Sequence, residues 1–137
     1  SLNLYDLRSI LINKKYSFFN LQYYESTSEI EEVENNEKLI KINNIDGLDL
    51  FNDFDSMASV LKKLDVFITV SNSTAHLAAS LGVNTWIIKP KNHAVLHYWN
   101  QPKNITPWYS NVVLYEYKTD WIDTINKIKE DLIKKFN

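Results

Sequence analysis

The stretch LDVFITVSNSTAHLAASLGVNTWIIKP, Leu64–Pro90, carries the clearest fold signal in the sequence. Two runs of strand-forming residues, VFITV and NTWIIK, enclose an alanine-rich segment over Ser73–Leu81 that favours a helix. Gly82 follows, where a helix commonly ends in the left-handed conformation, and Pro90 ends the second strand. This order predicts a parallel βαβ unit, and a VFITV strand that is apolar throughout is typical of a strand covered on both faces.

Upstream, the pattern predicts one helix and two strands. Apolar residues at helical spacing predict a helix over Leu2–Ile12, and SFFNLQY, Ser17–Tyr23, predicts a short buried strand. The acidic segment Glu25–Lys38 has few large apolar residues, so we expect a solvated connection in which any helix is weak or missing. The run LIKI, Leu39–Ile42, predicts the next strand.

Two further helices and a long loop complete the pattern. Asp55 is predicted to cap a helix that ends at Asp65 and has an apolar face of Met57, Ala58, Val60, Leu61 and Leu64. The segment Lys89–Tyr109 predicts a long loop, and VVLYEY after it a strand. A closing helix is predicted over Trp121–Phe136, with one apolar side formed by Ile122, Ile125, Ile128, Leu132 and Ile133.

Strands that alternate with helices predict a three-layer, Rossmann-like α/β domain with a mostly parallel sheet. The 137 residues, 45% hydrophobic and 23% charged, suit one such domain over residues 1–137. Because the chain starts with Ser, we expect a processed, excised or partial chain.

Composition restricts the classes of function. A net charge of −2 argues against a nucleic-acid partner, and the absence of cysteine excludes disulfides and thiolate metal sites. The sequence has neither a run of about 18 apolar residues nor a signal peptide, so we expect a cytoplasmic protein without a membrane span. His93 and His97 have the i, i+4 spacing of metal ligands, but no carboxylate completes a set, so we expect no metal.

The segment Ser71–Thr74 has the chemistry of a phosphate site. In open parallel sheets, ligands bind beyond the carboxyl ends of strands, where helix N-termini present free N–H groups and a positive dipole end. Small hydroxyl and amide side chains can bond to phosphate oxygens there, and alanines let the helix pack close to the sheet. The alternative is that Ser71, Asn72 or Ser73 only caps the helix.

Three segments carry a family resemblance: the run NSTAHLA with Leu81–Gly82 after it, the segment HYWNQ and the later TPWYSNVVLYEY. They resemble the C-terminal, donor-binding half of a GT-B glycosyltransferase of the heptosyltransferase-like (family 9-like) class. Such proteins are often fused to tetratricopeptide repeats in bacteria. In this family a further strand precedes the helix represented here by Leu2–Ile12, so the resemblance implies that the chain lacks the first strand of its domain. The resulting incomplete sheet or exposed edge would favour self-association.

The resemblance implies that the diphosphate of a nucleotide-sugar donor contacts a set of residues at this helix: Ser71, Asn72, Ser73, Thr74 and His76. The chain departs from a common form of the motif at Ser71, where that form has Asp, and at Ala79–Ser80, where it has Ala-Gly.

Other donor contacts are predicted outside the motif. Tyr98 and Trp99 would offer flat surfaces to a base or sugar ring, Lys89 would contact phosphate, and Gln22 would line the same cleft. The aromatic residues could instead hold the loop onto the domain. His76 could contact phosphate or be a packing residue.

Two functions from different classes therefore remain open. The first is the donor-binding domain of a glycosyltransferase, with no cofactor or metal, which is inactive without an N-terminal half. The resemblance implies that this missing half supplies the acceptor side and the general base, and no catalytic residue is assigned in the present chain. The second is a non-catalytic nucleotide-binding or protein-interaction module that retains the fold.

Overall fold

The computed structural model describes residues 3–21, 27–44, 54–70, 73–90, 105–106, 109–117 and 120–136. Helices alternate with strands that pair mostly in parallel. The predicted fold class, Rossmann-like α/β with a mostly parallel sheet, is confirmed. The chain forms two compact units, Ser1–Asp53 with Trp121–Asn137 and, separately, Phe54–Asp120.

The described ranges contain five α-helices, six strands and a 3₁₀ helix at Leu4–Leu7. The α-helices are α1 (Arg8–Leu11), α2 (Thr27–Asn36), α3 (Phe54–Lys63), α4 (Ser73–Ser80) and α5 (Ile122–Phe136). The strands are β1 (Phe18–Phe19), β2 (Ile42–Asn43), β3 (Phe67–Val70), β4 (Thr85–Pro90), β5 (Ile105–Thr106) and β6 (Tyr109–Tyr117).

In the first unit, a two-stranded parallel sheet, β1–β2, lies beside helices. Its apolar cluster is drawn from α1, α2 and the β2 region: Leu11, Ile30, Val33, Ile40 and Ile42, with Leu4, Leu7 and Phe18 packed against it. The predicted buried strand is only partly right, because Phe19 points away from this cluster and is 46% exposed.

Helix α2 corrects the prediction that a helix in the acidic segment would be weak or missing. It has ten residues, and Ile30 and Val33, at i and i+3, are both buried. Two of its carboxylates bond to backbone: Glu34 accepts a hydrogen bond from the Ile42 N–H, and Glu29 accepts one from the Leu4 N–H. Two correctly spaced apolar residues, together with these two backbone bonds, therefore dock a helix whose other residues are mostly polar.

In the second unit, the four strands are ordered β3-β4-β6-β5. Strand β4 is parallel to both β3 and β6, whereas the short β5 is antiparallel to β6. Helix α4 covers one face of this sheet, and α3 contacts α4. The cluster between helix and sheet consists of Ala75, Ala79, Ile87, Val112 and Leu114.

The predicted βαβ unit is confirmed, including its glycine. Gly82 has φ +81, in the left-handed region. The Val83 N–H donates to the Ala78 carbonyl and the Gly82 N–H donates to the Ala79 carbonyl, both at 3.1 Å. These two bonds form a Schellman cap, which satisfies carbonyls at the end of the helix.

Strand β3 differs from the strand predicted to be covered on both faces. It is at the end of the described strand order, its other residues are half-buried, and Val70 is 46% exposed. This position accounts for the exposure, because an edge strand has a neighbour on one side only. Self-association through the edge stays a prediction.

Two smaller predictions about helices are wrong. Asp55 is not a cap, because α3 already begins at Phe54. The inward face of α5 is formed by Ile125, Ile128 and Leu132, while the other two predicted isoleucines are exposed, Ile122 by 67% and Ile133 by 41%.

Over the described ranges, no helix combines the length and apolar character needed to cross a bilayer.

Candidate functional site

The carboxyl edge of the second unit's sheet carries the start of α4. Strand β3 ends at Val70 and α4 begins at Ser73, so only two residues connect them. Val70 is paired in register with Ile88, near the carboxyl end of β4. The first turn of α4 therefore lies at the edge where parallel sheets of this kind bind ligands, with its backbone N–H groups and the positive end of its dipole.

The motif residues that the structure describes lie in the first turns of this helix. Ser73 opens α4, and the Thr74 side chain is buried with 5% exposure. Ser71 and Asn72 lie outside the described residues. The helix face toward the sheet is made of the small residues Ala75 and Ala79, which allow close approach to the strands.

His76 is three residues into α4 and half-buried, and its Nε2 atom is fully buried. Desolvation by burial lowers the pKa of His76 below the usual histidine value. The imidazole is therefore neutral at pH 7, and its interactions there are those of a hydrogen-bonding group rather than a cation.

The sequence predicts Lys89 both as the last residue of the NTWIIK strand and as the first residue of the long loop, and the structure places it inside strand β4. Strand β4 continues to Pro90 because each of its residues has a partner in β6, through the pair Pro90↔Tyr117. The Lys89 side chain is 2% exposed, which makes it one of the most buried side chains of the described residues. The predicted loop is also shorter, since β5 lies within it and β6 already begins at Tyr109.

The partner of Lys89 is Glu116, which the sequence did not single out. The two residues are paired in register across β4 and β6, and Lys89 Nζ lies 3.4 Å from Glu116 Oε1. Side chains alternate between sheet faces, so Lys89 shares the face of Ile87 and Glu116 that of Leu114. Ile87 and Leu114 contact the α4 alanines. The ion pair therefore lies on the α4 face, in the row nearest the carboxyl edge.

The sequence did contain a signal for this pair. Lys89 immediately precedes the last residue of β4, and Glu116 immediately precedes the last residue of β6. One strand carries a positive residue and the other a negative residue, at the same distance from the strand end. This pattern indicates cross-strand pairing of the two charges. The sequence predicts both strand ends, at Pro90 and Tyr117, but not the register that pairs the two strands.

The opposite, amino edge of the sheet is closed by hydrogen bonds. Asn111 Nδ2 donates to the Ala79 carbonyl at 3.0 Å and to the Val83 carbonyl at 2.7 Å. The Thr85 hydroxyl donates to the Val83 carbonyl at 2.8 Å. These bonds fix the C-terminal end of α4 to the sheet.

The predicted ring-binding residues Tyr98, Trp99 and Gln22 lie outside the described residues. A described aromatic pair, Trp86 and Tyr115, lies on the sheet face away from α4, with ring centroids 5.6 Å apart. Both residues are buried, so this pair is part of the core.

Within the described ranges, no three side chains of His, Cys, Asp or Glu come together as ligands for a metal ion. Comparison of the chain with protein-family models, with curated proteins and with solved structures finds no match.

Proposed function

We propose that this chain is the nucleotide-sugar-binding part of a glycosyltransferase, and that the donor's diphosphate binds at the N-terminus of α4. The observation that carries the proposal is the two-residue connection from β3 to α4 beside the parallel strand β4. It directs the N–H groups of a helix with small first-turn residues toward the carboxyl edge of the sheet.

Electrostatics support an anion at this edge. The dipole end of α4 contributes about 0.3–1 kcal/mol to anion binding at an exposed site and about 2 kcal/mol at a partly buried one. This is far less than the roughly 8 kcal/mol of a micromolar complex, so side chains have to supply most of the affinity. Ser73 and Thr74 are the hydroxyl residues at the start of the helix, whereas Lys89, on the same sheet face, is enclosed and already paired with Glu116.

Donor binding does not imply turnover by this chain alone. Transfer of a sugar requires control of its orientation and of the charge that develops at the anomeric carbon. In the proposed arrangement, an N-terminal half supplies the opposing wall, the acceptor and the general base. The isolated chain is therefore expected to bind nucleotide with negligible acceptor-dependent release of nucleoside diphosphate.

Thermal unfolding with a ligand panel tests the proposal. The panel contains adenosine, guanosine and uridine, their diphosphates, and ADP-glucose, GDP-mannose and UDP-glucose. A ligand present at about 100 times its Kd adds about 2.7 kcal/mol to the free energy of unfolding, which gives a clear rise in Tm. We expect one base to raise Tm as diphosphate and as nucleotide sugar, and much less as nucleoside.

A variant pair distinguishes a phosphate site from a simple helix cap. The double substitution Ser73→Ala with Thr74→Ala should weaken diphosphate binding more than nucleoside binding. Ser80→Ala is the matched control, since it removes a hydroxyl that donates to the Leu77 carbonyl at the far end of the same helix. Equal weakening of diphosphate and nucleoside would show that Ser73 and Thr74 have only a structural role at the start of the helix.

A further inference from the structure

The Lys89–Glu116 pair is a charged row on a sheet face whose preceding rows are uncharged. The two rows before it on the α4 face, Ile87 with Leu114 and Thr85 with Val112, contain no charge and are fully buried. Lys89 is 2% exposed, whereas Glu116 is 26% exposed. The cation is therefore enclosed, and the carboxylate is the member of the pair that reaches water at the carboxyl edge.

Stability alone does not explain this pair. Removing an ammonium group from water has a desolvation cost that a single ion pair offsets only in part, and apolar residues of similar size are often as stabilising or more so. An isoleucine and a leucine in this row would continue the pattern of the rows before it. The pair is therefore better explained by an effect on what binds at this edge.

The carboxylate sets a limit on the charge of a ligand. An anion at the start of α4 would be attracted by the helix dipole and by Lys89, but Glu116 already neutralises that lysine and repels each further negative charge. Between two ligands with the same base, the one with less negative charge is then favoured. A nucleotide sugar and a free nucleoside diphosphate differ in this way.

We infer that Glu116 is a specificity-determining residue that makes the site prefer a nucleotide sugar over the free nucleoside diphosphate. This inference rests on the proposed function. The terminal phosphate of a nucleoside diphosphate has a second ionisation with a pKa near 6, so at pH 7.5 it carries about one negative charge more than the sugar diphosphate ester. Glu116 therefore promotes release of the nucleoside diphosphate after transfer.

Isothermal titration calorimetry on the full chain tests the inference with three matched pairs: ADP with ADP-glucose, GDP with GDP-mannose and UDP with UDP-glucose. For the base that binds, Glu116→Gln should tighten the diphosphate about tenfold relative to its sugar ester, the order expected for one extra charge near a carboxylate. Glu31→Gln, at an exposed position of α2, makes the same charge change and should leave this ratio unchanged.

The outcomes separate the inference from the proposed function. Wild-type protein that binds no pair would overturn both. If wild-type binds and Glu116→Gln leaves the ratio unchanged, the inference fails and the donor site stands. If the Glu116→Gln protein does not fold, the double variant Lys89→Met with Glu116→Gln is used instead. It lacks the same carboxylate and leaves no unpaired lysine. That double variant should lose the preference for the sugar ester, and a retained preference would contradict the inference.

Discussion

The two edges of the second unit's sheet are built from different chemistry, although the same helix connects them. At the amino edge, the Schellman cap at Gly82 and two bonds from Asn111 join the end of α4 to the strands. At the carboxyl edge, the helix begins with Ser73 and Thr74, and the adjoining sheet row is the Lys89–Glu116 pair. The amino edge is held together by neutral hydrogen bonds, whereas the carboxyl edge carries an ion pair beside the helix start.

Substitutions at the amino edge should therefore affect stability, and substitutions at the carboxyl edge should also affect binding. Neutral amide and hydroxyl groups at the amino edge bond to backbone carbonyls. Their loss should therefore lower the free energy of unfolding and leave ligand affinity unchanged. The charged groups at the carboxyl edge affect both folding and the affinity for anions. Variants at the two edges can therefore be compared by the free energy of unfolding and by ligand affinity together.

Loss of the carboxylate should have the largest effect. Glu116→Leu leaves the buried Lys89 ammonium without its carboxylate, and we expect a loss of about 2–3 kcal/mol in the free energy of unfolding. Adding Lys89→Met should return stability to within about 1 kcal/mol of wild type. Urea denaturation of both single variants and the double variant gives the coupling energy.

An exposed ion pair provides the control for this cycle. Lys127 and Asp131 on α5 have the same 3.4 Å separation, but Lys127 is 51% exposed. Solvent screens this pair, so removing it with Lys127→Ala should cost less than about 0.5 kcal/mol. Equal costs for the two pairs would contradict the assignment of Lys89 as an enclosed cation.

The next effect belongs to the amino edge. Asn111→Ala removes two hydrogen bonds from a half-buried amide, and we expect about 2 kcal/mol of lost stability with unchanged nucleotide affinity. Asn84→Ala, which removes one exposed bond to the Asp65 carbonyl, should cost less than about 1 kcal/mol. A weaker nucleotide affinity in folded Asn111→Ala protein would contradict the separation of the two edges.

The smallest effect should appear as a pH dependence. Burial lowers the pKa of His76 in the folded state. Between about pH 6.5 and that lowered pKa, the unfolded chain therefore binds more protons than the folded chain does. The contribution of neutral His76 to stability is complete above that range and is lost on acidification through it. In this pH range, His76→Asn should flatten the curve of the urea midpoint plotted against pH. An unchanged slope would show that His76 is not buried in its neutral form.

The βαβ unit could be predicted from the sequence because its signals are local. Alanines at helical spacing, a glycine with positive φ and two apolar strands each act within a few residues. Helix α2 was missed for the opposite reason. Its stability depends on Ile30 and Val33 docking into a cluster, and on Glu29 and Glu34 reaching backbone groups distant in sequence.

The candidate site was predictable in part for the same reason. The motif placed Ser73, Thr74 and His76 at the start of a helix, and they are found there. The burial of Lys89 and its pairing with Glu116 were not predicted, because they depend on the register of β4 against β6. Register is set by tertiary pairing rather than by local sequence.

Backbone amide chemical shifts test whether phosphate binds at the start of α4. The full chain, labelled with nitrogen-15, is titrated with the nucleoside diphosphate that gives the largest rise in Tm, and separately with its nucleoside. We expect the diphosphate to shift the amides of Ser73, Thr74 and Ala75 strongly and the nucleoside to shift them much less. The amides of Gly82 and Val83 should stay unchanged. Shifts confined to the Gly82 end of α4, or equal shifts at Ser73 from nucleoside and diphosphate, would contradict a phosphate site at the carboxyl edge.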